Sequence, residues 1–195
     1  MSGTFPTSPA PRNAVIRSQQ TTIVSVTTSG RKQARQIDGQ RFAITLQFPT
    51  MTRAEFAPIQ AFVMKQRSQK ETFQISVPDL KDAKGSISGT VLVNGAHSAG
   101  DTTIDVDGMT GEIKAGDFVN FAGDTKVYMV VSDATAVAGA ATLTIEPPLR
   151  SAIADDAAVT YDGVEFTVRL TNDVQQFNTG DLDLYRFEVD FIEAL

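Results

Sequence analysis

The side chains that could carry chemistry in this sequence are few and scattered. There is one histidine, His97, set between Gly95-Ala96 and Ser98-Ala99-Gly100. A single imidazole excludes His-pair metal sites and leaves little acid–base capacity near neutral pH. A triad through His97 needs a nucleophile elbow, and no Gly-x-Ser-x-Gly occurs. The residue therefore reads as an exposed loop position. Cysteine is absent, so disulfides, thiolate metal sites and cysteine nucleophiles are excluded. Asp105-Val106-Asp107-Gly108 loosely has the composition of a calcium loop. The spacing fails, because glycine follows the second carboxylate directly, and a strand-to-turn junction fits better. Asp181-Leu182-Asp183 reads as the polar side of a strand entry, and Asp155-Asp156 as a turn. Neither Gly-x-Gly-x-x-Gly nor a phosphate-loop motif is present. Nothing calls for a cofactor or a metal, and the reading is not that of an enzyme.

The elements that must hold these residues come from a globular chain. It has 195 residues, 42% apolar and 21% charged, which suits one large domain or two small ones. No run approaches the ~18 apolar residues of a membrane span. The net charge of −6 conceals a split. Residues 1–80 hold ten basic and four acidic side chains; residues 81–195 hold seven and nineteen. Acidic loops keep a protein soluble. A basic end and an acidic end also let copies stack on one another or on a neighbour. Duplex nucleic-acid binding wants a concentrated basic face with interleaved aromatics, which is missing. The nineteen acids leave paired-carboxylate hydrolysis open, but there is no Trp to supply a sugar platform.

Residues 1–12 carry Phe5, Pro6, Pro9 and Pro11 and predict an extended arm, assigned here to residues 1–20, that orders by lying on a partner. It lacks the basic start and apolar stretch of a signal peptide. Residues 22–28 (TIVSVTT) and 41–48 alternate as strands. Between them, residues 29–40 (SGRKQARQIDGQ) read as a long polar loop bearing Arg31, Lys32 and Arg35. Such a loop is either a solvated tip or a segment that reaches a neighbouring subunit. Thr52-Arg53-Ala54-Glu55 fits a capping box opening a helix over residues 52–67, with Phe56, Ile59, Phe62 and Val63 as its apolar stripe and Pro58 as a flaw. Residues 71–77 make a third strand.

From residue 83 to 163 the composition shifts to Gly, Ala, Asp and Thr with short apolar bursts at 90–93, 102–106, 117–121, 127–131, 141–145 and 157–161. These predict a small β-barrel or sandwich. Residues 164–170 and 185–191 then alternate again, with Val164, Phe166, Val168 and Leu170, and Tyr185, Phe187, Val189 and Phe191, on their apolar faces. The fold class is therefore mainly β: a β-sandwich with one packed helix, residues 21–82 plus 164–195, interrupted by an inserted small β domain, residues 83–163.

The order of features carries a resemblance. It runs through Phe5-Pro6-Thr7-Ser8-Pro9-Ala10-Pro11, a strand ending Leu46-Gln47-Phe48-Pro49, the helix from Thr52, and an insertion. That insertion holds Ala115-Gly116-Asp117-Phe118-Val119, Lys126-Val127-Tyr128 and Pro147-Pro148-Leu149-Arg150. The whole resembles tail proteins of long-tailed bacteriophages, in particular small distal-tail or tail-tube-like ring proteins. The resemblance implies a virion protein assembled in the host cytoplasm as a six-fold homo-oligomeric ring joining the tail tube to the tip or baseplate, with the insertion outside. Its implied partners are its own copies, other tail proteins and, transiently, DNA in the channel; it implies no membrane. Candidate subunit contacts are Arg31, Lys32, Arg35, Phe5, Pro6 and Pro9. The alternatives are a tail completion or head–tail joining protein, or a binding module whose insertion recognises a host glycan or another tail protein.

Overall fold

Two long strands open the fold. β1 (Asn13–Val26) and β2 (Lys32–Gln47) pair antiparallel as one hairpin. The structure is a computed structural model and describes residues 2–174, 176–179 and 184–195; the Asp181-Leu182-Asp183 pair lies outside them. The hairpin turn is short. The Thr27 N–H bonds the Arg31 carbonyl at 2.9 Å and the Gly30 N–H bonds the Thr27 carbonyl at 2.8 Å. Residues 29–40, expected as a loop, are thus mostly strand, and Lys32 and Arg35 sit on β2. Strand also begins at Asn13, so residues 13–20 are not arm. Residues 22–26, read as strand from their alternation, lie in β1; residues 32–40 bury neither face, so no apolar alternation marks that side of the ribbon. A register shift after Gln19 sets residues 38–40 of β2 opposite Gln20 alone, a bulge of the kind that bends and twists a ribbon.

The single described helix, α1 (Arg53–Lys65), follows. Glu55 accepts the Thr52 N–H at 2.8 Å and the Thr52 hydroxyl at 2.9 Å, and these two bonds hold its carboxyl below the usual glutamate value. Pro58 lies on the exposed side and does not interrupt the helix. Phe56, Ile59 and Val63 are buried against the sheet. β3 (Phe73–Ser76) then turns Phe73 and Ile75 into the same core.

The next eight strands build a second unit around its own core. β4 (Leu92–Val93), β5 (Thr103–Asp107), β7 (Phe118–Phe121), β8 (Val127–Val130), β10 (Ala141–Glu146) and β11 (Val159–Thr160) form a six-stranded sheet in the order β11-β7-β8-β10-β5-β4. β6 (Glu112–Ile113) and β9 (Ala134–Thr135) pair beside it. The ends of the sheet meet: Val93 N–H bonds the Ala157 carbonyl and Val159 N–H the Val91 carbonyl, each at 2.9 Å. The sheet is thereby an almost closed barrel, which leaves its terminal strands no long free edge. Strand alternation divides β7 and β8 between two cores. Val119, Phe121, Tyr128 and Val130 fill the barrel, while Phe118 and Val127 point to the first core.

The chain then returns. β12 (Glu165–Leu170), β13 (Asn178–Thr179), β14 (Tyr185–Arg186) and β15 (Glu188–Glu193) complete it. β12 and β15 join the opening strands in a five-stranded antiparallel sheet, β1-β2-β15-β12-β3. One face carries Phe42, Ile44, Leu46, Val189, Phe191, Phe166 and Val168 against α1. The chain is mainly β, with one helix among the described residues.

Candidate assembly interface

The pairing of β15 with β2 covers only residues 43–47 of β2. Beyond that level, β1 and β2 continue as a two-stranded ribbon with no third strand. Residues 18–26 of β1 and 32–42 of β2 lie beyond it, roughly 30 Å of ribbon at ~3.3 Å per residue. Cross-strand partners share a face, so the register assigns the side chains. Thr21/Ile37 and Ile23/Arg35 lie on one face; Val24/Ala34 and Val26/Lys32 lie on the other. Ile23, Val24, Val26 and Ile37 are 55%, 57%, 58% and 43% exposed. Each face therefore exposes large apolar side chains, Ile23 and Ile37 on one and Val24 and Val26 on the other, among polar and basic ones. Arg31 in the turn and Lys32 and Arg35 on β2 are exposed as well, which puts a basic tip on an apolar ribbon. A hairpin of this kind is marginally stable by itself in water, and its natural stabiliser is another surface.

The backbone of the ribbon is open too. Phe48 N–H bonds the Phe187 carbonyl at 3.0 Å, so residues 42, 44 and 46 of β2 turn toward β15 and their odd-numbered neighbours toward β1. On β1 this leaves Ala14, Ile16 and Ser18 directing N–H and C=O off the edge of the sheet. The Thr27–Arg31 bond fixes the projecting part likewise: Thr22 and Val24 face outward on β1, and Lys32, Ala34 and Gln36 on β2. The opposite edge of the sheet is closed. Phe5 N–H bonds the Gln74 carbonyl at 2.8 Å, and Gln74 N–H bonds the Gly3 carbonyl at 3.0 Å.

That closure corrects the expectation for the N-terminal arm. Phe5 is 5% exposed and packs its ring against Phe48, Phe62, Phe73 and Phe191. The Ser2 hydroxyl bonds Gln66 at the end of α1. Pro6 lines a small cavity with Phe5, Pro11, Leu46 and Phe48, and Pro9 is half-buried. The arm thus lies on its own chain, because an aromatic side chain gains more by entering the nearby phenylalanine cluster than by staying in water. Phe5 leaves the set of candidate contacts; Arg31, Lys32 and Arg35 remain exposed on the ribbon.

At the ribbon's base a buried polar cluster fixes the barrel to the sheet. The Glu193 carboxylate accepts Lys126 Nζ at 2.5 Å, the Val127 N–H at 3.0 Å and the Phe42 N–H at 3.1 Å. It is fully buried, and Lys126 is 2% exposed. Lys126 Nζ also stands 4.4 Å over the Phe42 ring, a cation–π contact. Burial pushes the Lys126 ammonium below its usual value, against the pull of Glu193. Next to it, Asp124 accepts the Tyr128 hydroxyl at 2.8 Å, the Ser151 hydroxyl at 3.1 Å and the Lys126 N–H at 3.0 Å. Burial raises the Tyr128 phenol well above its ordinary value. A cleft of about 380 Å³ lies beside this cluster, walled by Gln36 and Gln40 of β2 and by Pro147, Pro148, Leu149 and Leu195. Sequence reasoning missed the Lys126–Glu193 pair. A signal existed for half of it: Glu193 continues the buried parity of Phe187, Val189 and Phe191.

Among the described residues, the chemically suggestive ones come together nowhere. His97 is not an exposed loop residue; it is half-buried, accepts the Asp105 N–H on Nε2 at 3.2 Å and holds Nδ1 3.6 Å from Asp101. Asp105 closes β5 against Thr142 at 2.6 Å. Asp155 accepts the Gly95 N–H at 2.7 Å. Each of these groups ties a turn or strand to its neighbour. Among the described residues, no group of three or more His, Cys, Asp or Glu side chains is placed to hold a metal ion, and no helix is long and apolar enough to cross a membrane. Compared with known proteins, the chain matches no protein-family model and no curated protein sequence.

Proposed function

We propose that this chain is a structural subunit of a bacteriophage tail that self-associates into a closed ring joining the tail tube to the tip or baseplate. One observation carries the reading: the projecting β1–β2 ribbon, with exposed isoleucine or valine on each face, basic at its tip and open at its edges. A surface of this design is a liability in a monomer and an interface in an assembly. The charge split supports it, since a ribbon from the basic part of one copy can lie over the acidic part of the next. The ordered sequence features resemble distal-tail and tail-tube-like proteins and supply the setting.

In this role the protein performs no catalytic step and needs no cofactor. The ribbon of one copy engages a different surface of the next, a heterologous contact that closes into a ring when the rotation closes. The barrel is fixed to the sheet through Lys126 and Glu193, and other tail proteins are its partners. DNA passing through the channel meets the ring only transiently.

Reversing Arg31, Lys32 and Arg35 together to Glu tests the reading by sedimentation velocity over a range of concentrations. Wild type is expected to self-associate. The triple variant is expected to remain monomeric with an unchanged melting temperature, because all three side chains are exposed. Identical sedimentation of the two proteins would remove the basic ribbon from the interface.

A further inference from the structure

The two faces of the ribbon meet different surroundings. Phe42, Gln40 and Gln36 line a groove against Met129, Val131 and Pro147, so the face that continues Phe42 lies toward the chain's own barrel. The opposite face turns away from it. β1 keeps its alternation through Gln20, so Arg17/Ala43, Gln19/Arg41, Thr21/Ile37 and Ile23/Arg35 share that outer face. Along the two hairpin strands it carries Arg17, Arg41 and Arg35 and, among the described side chains, no acid. Arg17 donates to the Thr45 hydroxyl at 3.3 Å, and none of the three arginines stands in an ion pair among the described residues. The acids of the adjoining strand, Asp190 and Glu188, accept the Thr45 hydroxyl at 2.6 Å and the Gln47 amide at 3.1 Å nearer the base.

The barrel offers the opposite charge. Ile104 and Val106 fill it, so Asp105 and Asp107 of β5 point outward. Asp155 stands beside them: it accepts the Gly95 N–H at 2.7 Å, and the neighbouring Asn94 N–H bonds the Asp105 carbonyl at 2.8 Å. Asp156 follows, its N–H on the Val93 carbonyl at 2.9 Å. No lysine or arginine occurs on β4, β5 or β10, and among the described residues none pairs with these four aspartates.

We infer that the outer, arginine-bearing face of the ribbon in one copy lies on the β4–β5 face of the barrel in a second copy. The inference rests on the ring reading above and specifies its contact. The contact joins two molecules, because a chain's own barrel is on the other side of its ribbon. It joins unlike surfaces, as a ring requires. Exposed ion pairs are individually weak, so the charges choose the partner and its orientation. Burial comes from Ile23 and Ile37 on the ribbon and from Leu92, half-buried opposite Asp107 on the barrel. A nucleic acid would use the arginines and leave both isoleucines against sugar and phosphate. An acidic protein face with an apolar side chain among its carboxylates uses all of them, and every copy of this chain carries one.

Each copy contributes both surfaces, so charge reversals can be crossed. A ribbon variant carries Arg17→Glu with Arg35→Glu, and a barrel variant carries Asp105→Lys with Asp107→Lys; three of these side chains are exposed and Asp107 is half-buried. Sedimentation velocity reads each variant alone, their equimolar mixture and wild type, with melting temperatures alongside. Neither variant alone is expected to self-associate at concentrations where wild type does. The mixture is expected to associate, because each reversed surface then meets its reversed complement and each native surface its native one. A ribbon variant that self-associates like wild type would overturn the proposal; if it had also lost binding to a duplex DNA probe, the face would belong to nucleic acid. A barrel variant that self-associates alone, or a mixture that stays monomeric, would overturn the barrel as the landing surface. All three results leave the ring reading standing. Where a reversal unfolds the protein, Arg17→Gln with Arg35→Gln and Asp105→Asn with Asp107→Asn are each expected to weaken self-association, and unchanged association would overturn the contact. Wild type monomeric at every concentration would overturn both this contact and the ring.

Discussion

Glu193 serves three donors, and Lys126 serves one acceptor and the rings of Phe42 and Tyr128; this asymmetry sets what each side chain is worth. Replacing Glu193 with Leu strands a buried ammonium and leaves the Phe42 and Val127 N–H groups without partners. The expected cost is about 3–5 kcal/mol, that of breaking a buried pair by removing one member. Replacing Lys126 with Met keeps the volume and leaves the carboxylate with two backbone donors, for an expected cost of about 1–3 kcal/mol. Urea unfolding of the two variants checks the order; an equal or larger loss for Lys126→Met would contradict it. The pair was half legible. Glu193 sits on the buried parity of its strand, where a charge demands a partner. Lys126 follows the turn residues Gly123-Asp124-Thr125, where a solvated lysine is ordinary, and its partner lies 67 residues away in sequence. Local pattern cannot reveal such a partner. Phe5 was hidden for a related reason: its prolines announce an extended segment but not the surface on which it lies.

At the scale of elements, periodicity located the strands that bury one face. Val164 to Leu170, Tyr185 to Phe191 and the helix stripe from Phe56 all lie where their spacing puts them, because a half-buried element must repeat its apolar residues at its own period. On the ribbon only residues 22–28 were legible, through their β-branched alternation; residues 32–40 of β2 escaped because they have nothing to bury against within one chain. The short barrel strands were legible as bursts, while β6 and β9, two residues each, carry too little pattern to register. Gly108 shows why the Asp105-Val106-Asp107-Gly108 segment has its composition. Gly108 holds φ at +66°, and a Cβ there would meet the Thr90 carbonyl oxygen at 2.1 Å. The glycine lets β5 turn under the strand that follows residue 90, and the aspartates flank that turn. Gly108→Ala is expected to destabilise the protein by about 1–3 kcal/mol or more, read as a lower urea midpoint. Added calcium is expected to change neither wild type nor variant. A Gly108→Ala protein as stable as wild type would mean the turn is not held as tightly as the contact implies.

The whole molecule is a sheet-and-helix body with a barrel set into it, joined by one buried ion pair and by Phe118 and Val127, which reach from the barrel into the body's core. Elsewhere among the described residues exposed large apolar side chains such as Met64, Val137 and Val174 lie on separate elements, whereas on the ribbon four are grouped. There, exposed isoleucine and valine, unpaired strand edges and a cluster of positive charge coincide on one element. In a lone molecule each of these features raises the risk of aggregation; around a symmetric ring each acquires a partner. Negative-stain electron microscopy of the purified chain at high concentration tests this most directly. Closed rings of one diameter, abolished by the Arg31, Lys32 and Arg35 reversal, are the expected result. Two-fold dimers alone, or monomers at every concentration, would contradict it.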